Sequence, residues 1–421
     1  MFNQLIKIVS AIVPTKTTLP ILTNALVRDG KLYATDLNNY IEINEVKLKD
    51  GLHQFNLLKE EIDQPRTQEP ERMAEFPTLP NECEKSDPIT INAKAFFMGL
   101  EDFVANDGTR QSLTGVCVDK DGSVVATNGH ILQRGRKLAK TPETFIIPNE
   151  DGNRAYEIIK KVLAVFGVKD GNLDFELLYR DETIEETVNK EKVKKTIYKP
   201  AWLRLPLPAF EGQKKSAGFL YTKLVDAVYP KWQQVIPTKN DHHVDLDMTK
   251  TEAWADFKKN LEKAARLSHE KTRAVYSVSD KLYFYNDQKF EGFVKLNFVS
   301  LFPEIRELNV QFLSDIFKLY EKTKVRVSCM KGRSLSAIIF ENKDRVCLLM
   351  PIRILEDERV EAVGVDAYGK DGWKQLQEQE RKEAEAREAA KAEALQKKIL
   401  APEKEAAEEK AKAAKPEPKN A

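Results

Sequence analysis

Only a few residues of this chain have the type and setting that chemistry requires. His130 is the best placed of the five histidines, because it follows Thr127-Asn128-Gly129 where a strand-like run ends. A histidine in such a position is able to act as a general base. No serine, cysteine or carboxylate motif that could complete a catalytic site lies beside His130 in the sequence. Two other roles therefore stay open, a structural histidine and one wall of a binding groove.

The remaining candidates do not predict a metal site. His242 and His243 are adjacent, and neighbouring side chains on a strand point to opposite faces, which disfavours one shared ion. That stretch is typical of a polar linker between domains. The cysteines have no CxxC pairing and predict buried free thiols rather than a zinc site or a disulfide framework. They are Cys83, Cys117, Cys329 and Cys347.

Known catalytic motifs are also absent from the sequence: there is no P-loop, GxGxxG, GxSxG or HExxH. We therefore expect a protein that is not an enzyme and that uses no cofactor and no metal. A hydrolase that uses His130 is kept as the enzyme-class alternative.

The element that carries His130 is a predicted hairpin, Leu113 to Arg136, with its turn at Asp121-Gly122. A helix precedes it at Asn92 to Ala105, with Asn92 as the N-cap. The same order of helix and hairpin occurs at residues 3–35 and again from the helix Thr251 to Leu267 onward. Three such units predict an internal repeat.

A second kind of unit, a helix followed by strands, is predicted at residues 145–224 and again at 309–354. The first repeat has no clear second half, because Leu57 to Met73 is short, acidic and interrupted by proline. Five half-domains are therefore predicted where symmetry would give six. The fold class expected is α+β.

Composition and spacing divide the chain further. We expect domains at 1–88, 89–238 and 239–355, with a charged flap at 181–216 that forms an extended hairpin. Residues 356–421 form a tail with 14 basic and 17 acidic side chains, helical from Trp373 to Leu400 and disordered beyond residue 404. No apolar run is long enough for a membrane span, so we expect a cytoplasmic, nucleoid-associated protein without a membrane partner.

Five short blocks, in this order, resemble the bacterial sliding clamp, the β subunit of DNA polymerase III. They are Thr18-Leu19-Pro20-Ile21-Leu22; Ala126-Thr127-Asn128-Gly129-His130; Lys223-Leu224-Val225-Asp226 followed by Tyr229-Pro230; Ala264-Ala265-Arg266-Leu267-Ser268-His269-Glu270-Lys271; and Met350-Pro351-Ile352-Arg353. The resemblance implies a clamp fold whose helices line a ring and whose sheets form its outer wall. It also implies a homodimer that encircles duplex DNA without reading sequence, and that binds a DNA polymerase and a clamp loader through clamp-binding peptides. An adaptor that binds replication proteins without encircling DNA is the alternative.

The resemblance also implies a pocket for partner peptides, with an apolar floor of leucine and methionine. Carried over to this sequence, the pocket comprises Leu113, Thr127, Gly129, His130, Leu132, Pro230, Val235, Asn309, Phe312, Leu348, Met350, Pro351 and Ile352. Thr127 and His130 are expected to orient the peptide. Ordinary core packing is the alternative for these residues.

The ring that the resemblance implies requires cations on the repeat helices. The residues expected to face DNA are Lys7, Lys94, Arg154, Lys160, Lys161, Lys258, Lys259, Lys263 and Lys318. Ile131 and Gln234 depart from the family, in which arginine is usual at both positions. The long tail and the reduced first unit are further departures, which suggest a divergent or virus-encoded member.

Overall fold

The computed structural model describes residues 2–79, 83–188, 191–249, 251–268, 273–286, 289–296, 302–331, 335–352 and 358–379, and short pieces from there to residue 393. They form an α+β fold of helices and antiparallel sheets, which confirms the expected class. Two compact units can be separated. The first contains Met1–Lys258, Gln311–Cys329 and Ser336–Pro351, and the second contains Lys259–Val310, Met330–Leu335 and Ile352–Ala421.

The described chain contains α-helices, short 3-10 helices and strands. The α-helices are α1 Phe2–Val9, α2 Phe55–Lys59, α3 Pro70–Ala74, α4 Ala155–Val165, α5 Thr251–Leu267, α6 Val310–Lys318 and α7 Glu358–Tyr368. The 3-10 helices are Pro20–Thr23, Ala93–Phe97, Leu100–Phe103, Gly108–Leu113 and Trp232–Val235.

The strands are β1 Asn24–Arg28, β2 Lys31–Thr35, β3 Asn39–Ile43, β4 Gly51–Gln54, β5 Cys83–Asn92, β6 Gly115–Val118, β7 Val124–Thr127, β8 Ile131–Gly135, β9 Ala139–Lys140, β10 Phe145–Pro148, β11 Asn172–Val188, β12 Glu191–Leu207, β13 Gly218–Lys223, β14 His242–Asp247, β15 Ala274–Ser279, β16 Lys281–Asn286, β17 Lys289–Lys295, β18 Phe302–Asn309, β19 Lys324–Cys329, β20 Ile338–Glu341 and β21 Arg345–Leu349.

The sheets repeat one strand order. The first unit holds a nine-stranded sheet, β4-β1-β2-β3-β13-β12-β11-β5-β9, and an eight-stranded sheet, β10-β6-β7-β8-β21-β20-β19-β14. The sheet of the second unit is β17-β16-β15-β18. The sets β4-β1-β2-β3, β10-β6-β7-β8 and β18-β15-β16-β17 therefore share one topology. The sets β13-β12-β11-β5 and β21-β20-β19-β14 share another.

These four-stranded sets equal the predicted half-domains in number, but β10, predicted to begin the second kind of unit, pairs with β6 in a set of the first kind. Sets of the two kinds join edge to edge through β3 with β13 and through β8 with β21. In the second unit, β17 takes the position that β3 and β8 hold, and it is a sheet edge within the described residues. Five sets are thus found in this part of the chain.

The stretch where symmetry would place a sixth set has a different structure. Strand β4 is followed by the short helices α2 and α3, and Leu52 forms a bridge with Thr67 along the β4 edge. Phe76 and Met73 pack on Leu26 and Leu52. The reduced segment therefore covers part of the first set instead of building another one.

Some local predictions were wrong. The helix expected from Asn92 to Ala105 is two 3-10 segments, because Gly99 between them has a left-handed φ of +78°. Asn92 does cap the first segment, since its side chain accepts from the Lys94 amide. His242 and His243 lie on β14, paired with β19, rather than in a linker. Strands β14, β17 and β18 were missed because polar residues interrupt their apolar alternation.

The flap forms a ribbon of two strands. β11 and β12 pair as far as Val188 and Glu191, whereas β5 pairs with β11 only as far as Arg180. Residues 181–188 and 191–199 therefore extend beyond the neighbouring strands as a two-stranded arm.

The second unit uses the tail as a structural layer. Val363 of α7 is fully buried, and Trp373 is nearly so, against the sheet residues Tyr276, Tyr283 and Ile305. Gly364 allows this close packing, since a Cβ there would lie 2.3 Å from the Trp373 ring. The tail was not expected to pack against the sheet. Residues 370–379 are helical, and the residues described after Leu376 are exposed. Residues 394–421, predicted as the end of a helix and a disordered tail, lie outside the described residues.

In the described part of the chain, no helix has both the length and the apolar content to cross a membrane. Cys117, Cys329 and Cys347 are buried free thiols, as expected. The Cys83 side chain, the motif residues His269-Glu270-Lys271 and Arg353 lie outside the described residues.

Candidate functional site

Three predicted pocket residues of the first unit, Leu113, Leu132 and Leu348, belong to one buried apolar cluster. Leu132 on β8 stands directly opposite Leu348 on β21, so both side chains lie on the same face of the eight-stranded sheet. Leu113 joins them from the end of a 3-10 helix. We call the set the groove cluster: Ala105, Leu113, Cys117, Val125, Leu132, Ile146, Tyr229, Trp232, Ala337, Ile339, Val346 and Leu348.

Exposed apolar side chains lie close in sequence to members of this cluster. Met350, just after β21, is 38% exposed, and Val235, on the 3-10 turn Trp232–Val235, is 50% exposed. Pro230 is exposed in the same segment. A buried floor with exposed apolar edges is the arrangement that binds an apolar anchor of a peptide.

The Thr127 hydroxyl is occupied by the turn that it helps to form. Its O–H donates to the Ile131 carbonyl at 2.6 Å, and its oxygen accepts from the Gly129 amide at 3.1 Å. Asn128 Oδ1 accepts from the amides of His130 and Ile131 at 2.9 and 3.0 Å. Gly129 has a φ of +91°, which favours glycine. Thr127 therefore shapes the turn and has no free proton for a ligand.

His130 is held at the end of the strand pair β8 and β21. Its carbonyl accepts from the Met350 amide at 2.8 Å, which carries the ladder one step beyond Leu349. Its exposed ring stacks on Phe312, with centroids 6.1 Å apart. Among the described residues, no side chain is hydrogen-bonded to the ring. The role of His130 as a groove wall stays a prediction, and its ring is exposed at this strand end.

Two cysteines and a tyrosine near the groove are poor nucleophiles. Burial raises the pKa of the Cys117 thiol and of the Tyr229 phenol well above their ordinary values. Burial likewise raises the pKa of Cys347 to about 12. All three groups are therefore neutral at physiological pH.

Of three further predicted pocket residues, two lie in the second unit and one in the first. Asn309 and Ile352 belong to the second unit, where Asn309 ends β18 and the Ile352 amide donates to Glu307 at 2.8 Å. Pro351 follows Met350 in the first unit and is half-buried.

The sequence did not point to the residues that support this groove. Trp232 and Tyr229 are 4% and 8% exposed and belong to the groove cluster. Ile236 packs against it. The aromatic pair that flanks Pro230 was the available signal, because large aromatic side chains beside an exposed turn usually anchor it to the core.

The predicted DNA-facing cations fall into two groups. Five of them are paired with acids: Lys94 with Asp170, Arg154 with Asp151, Lys160 with Glu101, Lys161 with Glu157, and Lys318 with Asp315. The other four have no ion pair with the described residues: Lys7, Lys258, Lys259 and Lys263.

Helix packing brings part of this set together. α1, which carries Lys7, packs on α4, which carries Lys160 and Lys161. The clefts beside α4 also hold Glu101 and Asp102. Burial raises the pKa of Asp102, and the neighbouring Glu101 adds to the effect. The surface is therefore mixed in charge rather than strongly basic.

Taken together, the repeated four-stranded sets and their helices define a clamp-type fold with an apolar groove at the joint of β8 and β21. Solved structures of bacterial DNA polymerase III β sliding clamps have this fold too. The clamp from Bartonella birtlesii, solved bound to griselimycin, is 19% identical with a TM-score of 0.60 over 84% of this chain and 98% of its own. The Thermotoga maritima β subunit is 15% identical, with a TM-score of 0.60 over 84% and 97% of the two chains.

The Bacillus subtilis clamp is similar to the same degree, at 16% identity and a TM-score of 0.60 over 84% of this chain and 98% of its own. No family model matches the sequence, and no curated protein matches it. The resemblance in the five sequence blocks is confirmed at the level of the fold, which is that of the bacterial sliding clamps.

Proposed function

We propose that this protein is a DNA sliding clamp, a processivity factor without enzymatic activity that tethers a replicative DNA polymerase to duplex DNA. The observation that carries the proposal is the apolar groove at the β8 and β21 joint of a clamp-type fold. The likeness to polymerase III β clamps supports the tethering role. Domains at 1–88, 89–238 and 239–355 and a tail at 356–421 belong to the same proposal.

The groove takes the apolar anchor of a partner peptide, from a polymerase or from a clamp loader. Leu132 and Leu348 form the floor, and Met350 supplies a side chain that adapts to different anchors. Ile131 is 2% exposed and paired with Leu349, so it offers a partner no contact where clamps usually carry arginine. Gln234 is exposed on the turn and offers an amide in place of the second arginine.

Duplex DNA contacts the helices loosely and through its phosphates. Lys7, Lys258, Lys259 and Lys263, which form no ion pair with the residues that the structure describes, are the stronger candidates for these contacts. The other five predicted cations are already neutralised by neighbouring acids. Weak, sequence-independent contact is what a sliding protein requires, because strong phosphate binding would hold it in place.

Two copies form the closed ring in this proposal, and β17 is the edge that a neighbour would extend. β3 and β8, which hold the equivalent position in their sets, are both continued by a strand of the other kind of set. A clamp loader would be needed to place such a ring on DNA.

The groove is tested by Met350→Asp. The substitution places a charge against the buried leucines of the floor, so we expect the Kd of a fluorescent polymerase-derived clamp-binding peptide to rise by at least about tenfold. Leu19→Asp is the matched control, because Leu19 is similarly exposed, at 47%, and is not a groove residue. Fluorescence anisotropy measures both. Equal affinity of the Met350→Asp and wild-type proteins would contradict the assignment of the groove.

The second candidate is an adaptor that binds replication proteins through the same groove without encircling DNA. The observation in its favour is the short segment between β4 and β5, where helices and a single bridge stand in place of a sixth four-stranded set. Both candidates predict peptide binding, so only the behaviour on DNA separates them.

A further inference from the structure

A buried carboxylate connects the β6–β7 hairpin to the turn that bears Val235. Asp119 lies just after β6 and is 9% exposed. Its Oδ2 accepts from Trp232 Nε1 at 2.9 Å and from Gln233 Nε2 at 3.0 Å. Its Oδ1 accepts from the Thr144 hydroxyl at 2.9 Å. One side chain therefore receives two hydrogen bonds from the 3-10 turn and one from the opposite side.

The turn itself has little other polar support. The Trp232 amide donates to Pro230, the Gln234 amide to Lys231 and the Ile236 amide to Gln233, so these bonds remain within the segment. In the described part of the chain, the hydrogen bonds that join residues 230–236 to the rest of the fold end on Asp119.

The carboxylate is itself well fixed. The Asp119 amide donates to the Ser123 carbonyl, and the Asp119 carbonyl accepts from the Gly122 amide, both at 2.9 Å. The Arg134 guanidinium lies 4.7 Å from the centre of the Trp232 ring and donates through Nε to the Ser123 hydroxyl. The indole is thus held at its edge by Asp119 and over its face by Arg134.

We propose that Asp119 is a positioning residue of the peptide groove, which holds the turn Trp232–Val235 against the groove cluster, to which Trp232 belongs, before a peptide arrives. The inference rests on the proposed function and deepens it. Asp119 contacts no peptide. It lowers the cost of binding because two hydrogen bonds to one side chain already order the turn.

The test compares Asp119→Ala with Asp119→Asn in the full-length protein. Alanine removes the hydrogen bonds to all three partners. We therefore expect the Kd for the polymerase-derived peptide to rise about tenfold. Asparagine keeps an oxygen for Trp232 and Gln233 and a nitrogen for the Thr144 oxygen, so it should restore the Kd to within about twofold of wild type. Failure of Asp119→Asn to restore the Kd that Asp119→Ala has raised would contradict a role through these hydrogen bonds.

Two further variants separate the turn from the rest of the network. Gln233→Ala removes one donor from an exposed side chain and should weaken the peptide about threefold. Thr144→Ala removes the hydrogen bond on the far side and should leave the Kd unchanged. If Asp119→Ala does not fold, Gln233→Ala tests the inference instead. An unchanged Kd of Gln233→Ala for the peptide then overturns it.

Hydrogen exchange of residues 230–236 in the free protein provides a readout that needs no peptide. Asp119→Ala and Gln233→Ala should exchange faster there, and Thr144→Ala should exchange at the wild-type rate. A wild-type protein that binds no peptide refutes the proposed function while this comparison still tests the role of Asp119. Unchanged exchange in Asp119→Ala refutes the positioning role, whatever the peptide does.

Discussion

Some polar side-chain atoms near the groove are already hydrogen-bonded within the protein, whereas other side chains remain exposed. The Thr127 hydroxyl and the Asn128 amide oxygen are both occupied by the turn that they form. The His130 ring, stacked on Phe312, and the Met350 thioether remain exposed. We therefore expect a peptide in the proposed groove to be recognised mainly by apolar shape, with His130 as an aromatic wall.

The floor of the groove was predicted from the sequence, whereas the residue that supports the neighbouring turn was not. Leu132 and Leu348 were predicted to share a floor, and the register of β8 and β21 places them opposite each other. Asp119 was not predicted, because its partners Trp232 and Gln233 lie more than a hundred residues further along the chain. A hydrogen bond between distant segments leaves no periodic pattern to detect.

Asp366 on α7 gives a pH-dependent prediction at the same scale. The hydrogen bond from the Tyr283 hydroxyl, at 2.8 Å, lowers its pKa below the ordinary 3.8, and Lys281 adds to the effect. A lowered folded pKa contributes stability above the unfolded pKa, and this is lost as pH falls through the folded value. The carboxylate is 42% exposed, so the contribution should be small.

The prediction is tested with Asp366→Asn. At pH 7 we expect slightly faster hydrogen exchange over residues 358–376 in the variant than in wild type, and equal rates once the pH is below the folded pKa of Asp366. Asp371→Asn is the control, since Asp371 is exposed near the same helix junction. A difference between Asp366→Asn and wild type that persists unchanged at low pH would contradict the charge argument.

At the scale of elements, apolar spacing was informative where a helix or strand is regular. The helix Thr251–Leu267 has the bounds that its pattern predicts, since Trp254, Phe257, Leu261 and Ala264 follow helical spacing and are all buried. The helix predicted from Asn92 failed because one glycine has a left-handed backbone. Strand β18 was missed because Pro303 and charged residues, among them the buried Arg306, interrupt it.

The packing of α7 on the sheet predicts that α7 stabilises the second unit. Removal of residues 356–421 would expose Tyr276, Tyr283 and Ile305, and would lose the burial of Val363 and Trp373. Large apolar side chains contribute about 1.5–3 kcal/mol each when fully buried, so we expect a loss of about 3 kcal/mol or more in the second unit. Removal of residues 377–421 is the matched control, because it leaves Trp373 and Leu376 in place.

Thermal unfolding and binding of an apolar dye measure the effect of both truncations. The longer deletion should lower the melting temperature and increase dye binding, and the shorter one should change neither. Equal behaviour of the two proteins would show that α7 does not stabilise the sheet.

At the scale of the whole molecule, the order of strands repeats more faithfully than the sequence does. Three sets of one topology and two of another are built from segments without obvious identity to each other. The repeat was predictable because helix and hairpin periodicity survive sequence change. The reduced first unit was predictable from its prolines and acids, whereas the packing of α7 on the third sheet was not.

The net charge of the whole chain, +1, bears on how the protein could hold DNA. With five of the nine predicted cations paired to acids, a protein that holds DNA by charge alone would bind weakly and release in salt. A closed ring around the duplex would be retained by topology instead. The tethering role that we propose therefore requires a closed ring.

Retention on DNA of different topology tests that requirement most directly. The protein would be loaded onto nicked circular DNA with a clamp loader and ATP, and separated from free protein by gel filtration in moderate salt. We predict that it stays with the circle and is lost after the circle is cut by a restriction enzyme. Loss from both forms, with the loader present and the peptide groove intact, would contradict the sliding clamp and favour the adaptor.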